Sequence, residues 1–190
     1  EHISKMDVPY LLRNNKKSRF GISTGIGYDA GVCQEVLATP LKKIFNRLGL
    51  GKLIYLFIAL KQLIFINPGK MTVTLENTFS YDHVYFTAVM NQKYEGGGFK
   101  FCPDAQPDDQ LLDVILVEGI RKIKLLFCLP TAFFGKHVGI RGIHILTCSD
   151  IHVHSASALP IHIDGESGGI REDLTVSIEK SSLKIILPVV

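Results

Sequence analysis

The sequence predicts a mainly β domain of the α+β class, an antiparallel β-sandwich or distorted barrel with two or three helices in its N-terminal third. After residue 68, short runs of β-branched and aromatic residues follow one another, separated by turn residues at the spacing of sandwiches and barrels. Before residue 68, the patterns favour helices. Hydrophobic residues make up 46% of the 190-residue chain, which is enough for one domain with a sizeable core.

The front of the chain predicts a linker, a strand and a helix. Residues 1–19 are polar and contain Pro9, so we interpret them as a linker with one short extended piece, and residues 20–190 as the domain. Residues 20–27 are small and apolar, which predicts a strand that runs into a tight glycine turn. Residues 29–37 suit a helix with Asp29 as its N-cap and Pro40 as its stop.

The longest apolar region, residues 41–66, predicts two helices separated near residues 49–51. Its uncharged part lies between Lys52 and Lys61 and spans eight residues, whereas a transmembrane helix needs roughly 20. A buried helix fits this pattern. A surface helix that contacts anionic lipid head groups fits it too. The basic residues available for that contact are Lys42, Lys43, Arg47, Lys52 and Lys61.

The rest of the chain predicts strands joined by turns. The segments are 71–75, 83–90, 112–118, 143–148, 151–154, 159–163, 174–179 and 183–188. Residues 122–134 are the exception and predict a helix that is broken at Pro130. Exposed edge strands of such a sheet could pair across a homodimer.

Composition limits the partners and the compartment. The net charge of +3 is small, and no basic stripe is interleaved with aromatic residues, so we expect no nucleic-acid partner. No two of the four cysteines form a CxxC pair, which favours reduced thiols in a cytosolic protein, although a disulfide across strands stays open. The first residues lack the features of a secretory signal.

The most informative stretch is residues 160–166, which ends in Asp164-Gly165-Glu166. Apolar and polar residues alternate before the turn, which indicates a half-buried strand. The strand would bring the carboxylates of Asp164 and Glu166 to a rim where a ligand could reach them, with flexible Gly165 between them. A solvated surface turn would have the same sequence.

Two further stretches could bind a ligand. Three carboxylates within residues 108–113 precede a buried strand, and oxygen-rich loops of this kind suit Mg²⁺. Gly96, Gly97 and Gly98 allow close backbone approach, although a bulged hairpin also explains them.

The histidines allow one more hypothesis. His152 and His154 would share a face of one strand, and His162 and Asp164 a face of the next, so all four could approach a metal if the strands pair. A polar outer face of a hairpin explains the same alternation.

Four motifs occur in an order that resembles the C-terminal half of the diacylglycerol-kinase-like lipid kinases, a family that includes bacterial diacylglycerol kinases and sphingosine kinases. The motifs are Gly-Ile-Gly-Tyr-Asp-Ala at 25–30, Asn91 with the three glycines and Pro103-Asp104-Ala105, Asp-Gln-Leu-Leu-Asp at 109–113, and Asp-Gly-Glu at 164–166. The resemblance covers residues 20–187.

The resemblance implies roles for individual residues. Glu166 would belong to the catalytic hydrogen-bond network, and Asp164, Gly165 and Glu166 would border the nucleotide. Asp109 would hold a structural Mg²⁺, together with backbone carbonyls of Gln106 and Leu111. Asn91 and the glycines 96–98 would lie at the substrate cleft between two domains.

One residue departs from the family pattern. Gln110 stands where the family has glycine, and it would be strained if that position needs a positive φ.

The resemblance therefore implies ATP-dependent transfer of the γ-phosphoryl group to a lipid hydroxyl, in the cytoplasm and peripherally at the membrane, with ATP and Mg²⁺ as cofactors. The family's nucleotide-binding half carries a Gly-Gly-Asp-Gly-Thr loop, and the 190 residues contain no such run. We expect the second domain of a kinase whose N-terminal nucleotide-binding domain is missing from this chain, inactive alone. A non-catalytic lipid-binding β-sandwich, or a kinase of the same fold for a soluble substrate such as a nicotinamide nucleotide, are the alternatives.

Overall fold

The computed structural model describes residues 2–13, 15–95 and 98–187. Its strands are β1 (His2–Arg13), β2 (Lys16–Arg19), β3 (Ser23–Gly27), β4 (Gly69–Thr74), β5 (Thr78–Met90), β6 (Leu112–Glu118), β7 (Ile143–Cys148), β8 (Asp150–Ile163) and β9 (Glu166–Leu187). Its helices are α1 (Tyr28–Ala38), α2 (Leu41–Arg47), α3 (Gly51–Phe65) and α4 (Lys122–Ala132).

All strand pairs in the described ranges are antiparallel and belong to one sheet, in the order β2-β1-β9-β8-β3-β5-β6-β7. Strand β4 lies off this path and pairs with both β5 and β8. Strand β3 also pairs with both, farther along them. The two short strands therefore lie end to end between β5 and β8. The mostly antiparallel β architecture, with a barrel-like or sandwich arrangement, confirms the predicted fold class.

The core consists of two apolar clusters, on opposite faces of the sheet. The cluster enclosed by strands includes Leu11, Ile26, Val73, Val114, Ile161 and Leu174. The cluster beneath the helices includes Val36, Ile54, Ile58, Phe86, Phe101 and Leu125. Burial of this apolar surface stabilises the fold. The central strands are therefore covered on both faces, by strands on one side and by helices on the other.

The predicted helices are present, and three of them lie in the N-terminal third. The predicted break at Pro130 was wrong, because α4 continues through Pro130 to Ala132. Proline is tolerated there because only the last turn loses a hydrogen bond. No helix within the described ranges is both long enough and apolar enough to cross a membrane.

Three other local predictions were wrong, each for a physical reason. Residues 1–19 contain more than one short extended piece, because β1 pairs along β9 and also with β2, with Pro9 at an irregularity that tolerates its missing N–H. The separate strands predicted at 151–154 and 159–163 form one strand, β8, since the irregular pairing between them is a bulge and not an end. Likewise, the two strands predicted after residue 174 form part of β9, and residues 188–190 lie outside the described ranges.

Asp29 is not the N-cap of α1. Gly27 occupies that position, and no side chain caps the helix there. Asp29 lies in the first turn of the helix and contacts His162 on β8.

Candidate functional site

A narrow, mostly apolar cleft lies between α1, α3 and the aromatic residues that follow β5. Its walls include Tyr55, Ala59, Phe86, Phe99, Phe101 and Leu129. Helix α3 is held on α1 because Nε2 of Gln62 donates a hydrogen bond to the carbonyl oxygen of Gly31, at 2.9 Å. A cleft with such walls suits a ligand that is largely apolar.

Polar side chains meet at one end of this cleft, which we call the polar cluster: Asp29, Cys33, Glu95 and His162. Nε2 of His162 lies 2.7 Å from Oδ2 of Asp29 and 3.0 Å from Oε1 of Glu95. The side chains of His162, Glu95 and Asp29 are only 0%, 5% and 11% exposed. Cys33 contributes a buried thiol, and its Sγ atom lies within 4.8 Å of a possible ligand atom of Glu95 and of His162. Such buried, closely spaced titratable groups mark a functional-site candidate.

The chain brings the polar cluster together from three places. Asp29 and Cys33 lie one turn apart on α1, and His162 lies on β8. Glu95 precedes the glycine loop, which is closed by a hydrogen bond from the backbone N–H of Glu95 to the carbonyl of Phe99, at 2.8 Å. Gly25 on β3 leaves room for the imidazole.

The polar cluster holds its protons more tightly than isolated groups would. Burial, followed by the charge of Asp29, raises the pKa of Glu95 from 4.5 to about 8. Burial alone would lower the pKa of His162, but Glu95 and Asp29 raise it to about 9. Burial, with the charges of Asp29 and Glu95, also raises the pKa of the Cys33 thiol, so Cys33 stays a thiol. At neutral pH the carboxylates therefore share at least one proton with the imidazole.

The Asp-Gly-Glu motif forms the turn between β8 and β9. Asp164 and Gly165 have φ of 49° and 82°, and Ile163 pairs with Glu166, as in a two-residue hairpin turn that needs positive φ at both positions. The Asp164 carboxylate accepts hydrogen bonds from the backbone N–H groups of residues 21, 22 and 23, at 2.8, 2.8 and 3.0 Å. Glu166 is exposed.

Two contacts connect this turn with the cleft. The backbone N–H of Gly165 donates to Nδ1 of His162, at 3.3 Å. Tyr55, on the cleft wall, has a raised pKa, chiefly through burial, and the charge of Glu166 contributes. Glu166 follows Gly165 directly in this turn.

The predicted magnesium loop contacts Asp7 on β1, a carboxylate that the sequence patterns did not indicate. Oδ1 of Asp109 accepts a hydrogen bond from the backbone N–H of Leu111, at 3.0 Å, and Oδ2 of Asp7 accepts one from that of Gln110, at 2.6 Å. Asp7 is 2% exposed, and burial, with the charges of Asp109 and Asp108, raises its pKa. Gln110 has a φ of 62°, so it adopts the glycine-like conformation.

Asn91 lies between this loop and the Asp-Gly-Glu turn. It is 1% exposed, and Nδ2 donates to the carbonyl oxygens of Asp7 and Gly21, at 3.3 and 3.1 Å. Gly98 has a φ of 94°, and its N–H donates to the carbonyl of Glu95. Gly96 and Gly97 lie outside the described residues. A contact of Asn91 or the glycines with substrate stays a prediction.

The four-residue metal site proposed for the histidines was wrong in its geometry. His152, His154 and His162 all lie on β8, not on two strands that pair. His152 and His154 contact Asp173 near the surface, with nitrogen–oxygen distances of 3.4 and 2.9 Å. His162 is buried elsewhere because α1 covers that part of β8. Sequence patterns missed Glu95 and Cys33, although Glu95 stands directly before the glycine run.

Comparison with known proteins identifies the family. Residues 23–187 match the model of the YegS C-terminal NAD kinase beta sandwich-like domain, which is most of the chain.

The chain is 32% identical over 146 residues to a Bacillus subtilis protein named "Putative lipid kinase YtlR", covering 76% of this chain and 47% of that protein. It is 32% identical over 76 residues to a Mycobacterium tuberculosis diacylglycerol kinase, covering 40% of this chain and 24% of the kinase. The chain thus spans less than half the length of these relatives.

A solved structure of a diacylglycerol kinase from Bacillus anthracis has the same fold. It aligns with a TM-score of 0.59 at 16% identity, over 93% of this chain and 51% of that one.

Proposed function

Because the chain belongs to the family of YegS C-terminal NAD kinase beta sandwich-like domains, we propose that it forms the substrate-side domain of an ATP-dependent lipid kinase. The names of its relatives support this class of reaction. The observation that carries the proposal is the apolar cleft that ends at the polar cluster, next to the Asp-Gly-Glu turn. Residues 1–19 would join this domain to the nucleotide-binding half.

The cleft would take a lipid with its hydroxyl inward. The acyl chain packs against the aromatic walls, and the hydroxyl donates a hydrogen bond to the carboxylate of Asp29 or Glu95. This end is rich in acceptors, because Oδ2 of Asp29 and both carboxylate oxygens of Glu95 are buried beside the imidazole. A ligand that offers a hydrogen-bond donor is therefore favoured over one that offers only ester carbonyls.

Glu166 would position the hydroxyl as it attacks the γ-phosphoryl group of ATP, which would lie along the turn at Asp164, Gly165 and Glu166. Asp164 holds the turn in place through residues 21–23. Gly165 presents backbone without a side chain. When ATP is bound, an exposed carboxylate at a rigid turn is available to accept the hydroxyl's one hydrogen bond in place of the polar cluster.

The loop around Asp109 fits a structural Mg²⁺. Asp109 and Asp108 lie close enough to Asp7 for their charges to raise the pKa of Asp7. Gln110 retains the conformation of the glycine that it replaces. Asp109 and the carbonyls of Gln106 and Leu111 would hold the ion, which would neutralise these carboxylates. We expect Mg²⁺ to raise the melting temperature of the chain, and Asp109→Asn to abolish that rise, while Asp173→Asn retains it.

A helical face supports peripheral association with a membrane. Residues 36–75 and 119–149 contain no Asp or Glu, yet more than half of the 21 Lys and Arg residues lie there. Helices α3 and α4 meet where Nζ of Lys122 donates to the carbonyl of Ile64, at 2.8 Å. Apolar side chains that are more than half exposed on or beside these helices are Phe57, Ile64, Phe65, Ile123, Phe127 and Phe134. Apolar residues with basic neighbours suit a cytoplasmic, anionic lipid surface.

Vesicle sedimentation tests the helical face. We expect the chain to bind vesicles containing phosphatidylglycerol and to stay in solution with pure phosphatidylcholine. Phe127→Ser should weaken binding several-fold, whereas Ile170→Ser, at a similarly exposed side chain on β9, should not. Equal effects of both substitutions would contradict the proposed face, and no binding at all would favour the soluble-substrate alternative.

Lipid phosphorylation tests the function itself. In the complete enzyme, with the nucleotide-binding half present, Glu166→Gln should lower kcat on a diacylglycerol by about 100-fold or more while stability stays unchanged. The 190-residue chain should bind short-chain diacylglycerol, more weakly as Asp29→Asn and unchanged as Asp173→Asn, and should not phosphorylate it. Binding without any phosphorylation by the complete enzyme would favour the non-catalytic module.

A further inference from the structure

His162 lies between the polar end of the cleft and the turn that carries Glu166. Its Nε2 atom faces Asp29 and Glu95, at 2.7 and 3.0 Å, and its Nδ1 atom faces the backbone N–H of Gly165, at 3.3 Å. The side chain is fully buried. The imidazole therefore lies within ion-pair distance of two carboxylates on one side and accepts a hydrogen bond from the backbone of the Asp-Gly-Glu turn on the other.

The contact with Gly165 determines where the imidazole proton lies. A backbone N–H always donates, so Nδ1 must present its lone pair to Gly165. A neutral imidazole with an unprotonated Nδ1 carries its proton on Nε2. That proton points at Asp29 and Glu95. The raised pKa values of Glu95 and His162 describe one further proton that the two residues share, and the contact with Gly165 places this proton on the carboxylate pair.

The same contact argues against a metal ion in the polar cluster, although Cys33, Glu95 and His162 converge within ligand distance. A histidine that binds a metal through Nε2 donates its other ring N–H to an acceptor. Here the group opposite Nδ1 is the donor N–H of Gly165. Nε2 consequently serves as a hydrogen-bond donor to carboxylates.

We infer that His162 is a positioning residue that couples the protonation and occupancy of the Asp29–Glu95 pair to the backbone of the Asp164–Gly165–Glu166 turn. When the pair holds one proton, Nε2 donates to the carboxylates and Nδ1 accepts from Gly165. When the pair takes up another proton or loses its last one, the charge facing Nε2 changes, and with it the strength of the Nδ1 hydrogen bond. Its consequence for catalysis rests on the proposed function, because the turn carries Glu166.

Four titratable groups among the described residues lie around the imidazole, and the experiment must distinguish which of them titrates. Asp29 and Cys33 face it from α1, Glu95 from the loop after β5, and Asp164 from the turn. Asp164 is held by three backbone N–H groups, and Cys33 stays a thiol through the pH range used. Glu95, whose raised pKa of about 8 lies within this range, is thus the carboxyl expected to titrate against His162.

Two substitutions separate the two ends of His162. In His162→Asn, Oδ1 takes the place of Nδ1 and can still accept from Gly165, but nothing reaches the carboxylates. In His162→Gln, the amide reaches the place of Nε2 and can still donate to the carboxylates, but nothing accepts from Gly165. Glutamine is close in size to histidine, whereas asparagine is smaller.

The experiment is amide NMR on the 190-residue chain between pH 5.5 and 9.5, without lipid or nucleotide. We expect the Gly165 amide to titrate in the wild type and to lose that titration in Glu95→Gln. In His162→Asn, Gly165 should stay protected from hydrogen exchange but no longer titrate. In His162→Gln, its exchange should be at least tenfold faster. Exchange at Gly169 in the same hairpin is the internal control.

The coupling would be refuted if Gly165 titrated identically in wild type and His162→Asn, or if it did not titrate in the wild type. Zn²⁺ that stabilised the wild type but not Glu95→Gln would also overturn it, since Nε2 would then be a ligand. If His162→Gln does not fold, the titration of Gly165 in His162→Asn and in Glu95→Gln still tests the coupling. Because the measurement uses neither lipid nor ATP, its failure leaves the proposed kinase function intact, and failure of that function leaves this coupling intact.

Discussion

Gly25 lies so close to His162 that a Cβ on residue 25 would be 2.8 Å from Nε2 of the imidazole. The same Cβ would be 3.0 Å from Oδ2 of Asp29. Atoms at these distances must move, and both partners are buried side chains that hold the polar cluster together. The absence of a side chain on β3 thus allows the polar cluster to form.

Gly25→Ala should destabilise the protein by about 1–3 kcal/mol, the usual cost of overpacking a buried site. Urea unfolding monitored by circular dichroism measures this. The control is Gly69→Ala, also at a strand residue, where a Cβ would meet nothing within 4 Å, and which should change stability by less than about 0.5 kcal/mol. Equal costs at both positions would show that the imidazole does not limit residue 25.

Asp164 and Glu166 should separate stability from activity. Asp164→Ala removes the acceptor of three backbone N–H groups and leaves a non-glycine residue at a φ of 49°, so we expect a loss of about 1–3 kcal/mol. Glu166→Ala, at the exposed position two residues on, should cost less than about 0.5 kcal/mol. Chemical denaturation of the two variants under identical conditions makes the comparison. A large loss for Glu166→Ala would assign that residue a structural role instead.

Gln110 should be more stable as glycine, against the usual cost of introducing one. Its φ of 62° is unfavourable for a side chain, and its N–H hydrogen bond to Asp7 survives the change. We expect Gln110→Gly to stabilise the protein by about 0.5–1 kcal/mol. Gln110→Ala retains the Cβ and should bring no such gain. Thermal unfolding of the wild type, Gln110→Gly and Gln110→Ala measures these changes in stability. A lower melting temperature for Gln110→Gly than for the wild type would contradict backbone strain at Gln110.

The sequence predicted elements whose patterns are local. Strands β6 and β7 have the predicted bounds, because both are rich in apolar residues and lie between turn residues. The Asp-Gly pair predicted its turn because few other residues adopt positive φ at both positions. Strand β1 was missed because its polar residues gain their stability from pairing with β9, which lies at the other end of the chain.

The polar cluster could not be predicted for a related reason. The alternation around His162 indicated an outer face, but α1 covers that part of β8, so Ile161 and His162 are both fully buried. Asp29 had the sequence of a helix cap, and only its contact with β8 shows otherwise. Residues far apart in the chain meet there, and no spacing rule contains that information.

Glu95 should make the protein less stable as pH rises. Its pKa is about 8 in the folded chain and 4.5 for a free side chain, so between these values the folded state binds the proton that the unfolded state has released. Stability then falls with rising pH, by at most about 1.4 kcal/mol per pH unit for one proton. His162, with a pKa raised from 6.5 to about 9, acts in the same direction up to pH 9.

Glu95→Gln removes the titrating carboxyl but retains its shape, and with one carboxylate fewer the pKa of His162 should fall as well. The fall in stability between pH 5.5 and 8.5 should therefore be clearly smaller than in the wild type, as measured by urea midpoints at several pH values. Asp173→Asn, at an exposed carboxylate that contacts His152 and His154, serves as the matched control and should leave the wild-type slope in place. An unchanged slope in Glu95→Gln would mean that Glu95 is already ionised at neutral pH, with the polar cluster's proton on the imidazole.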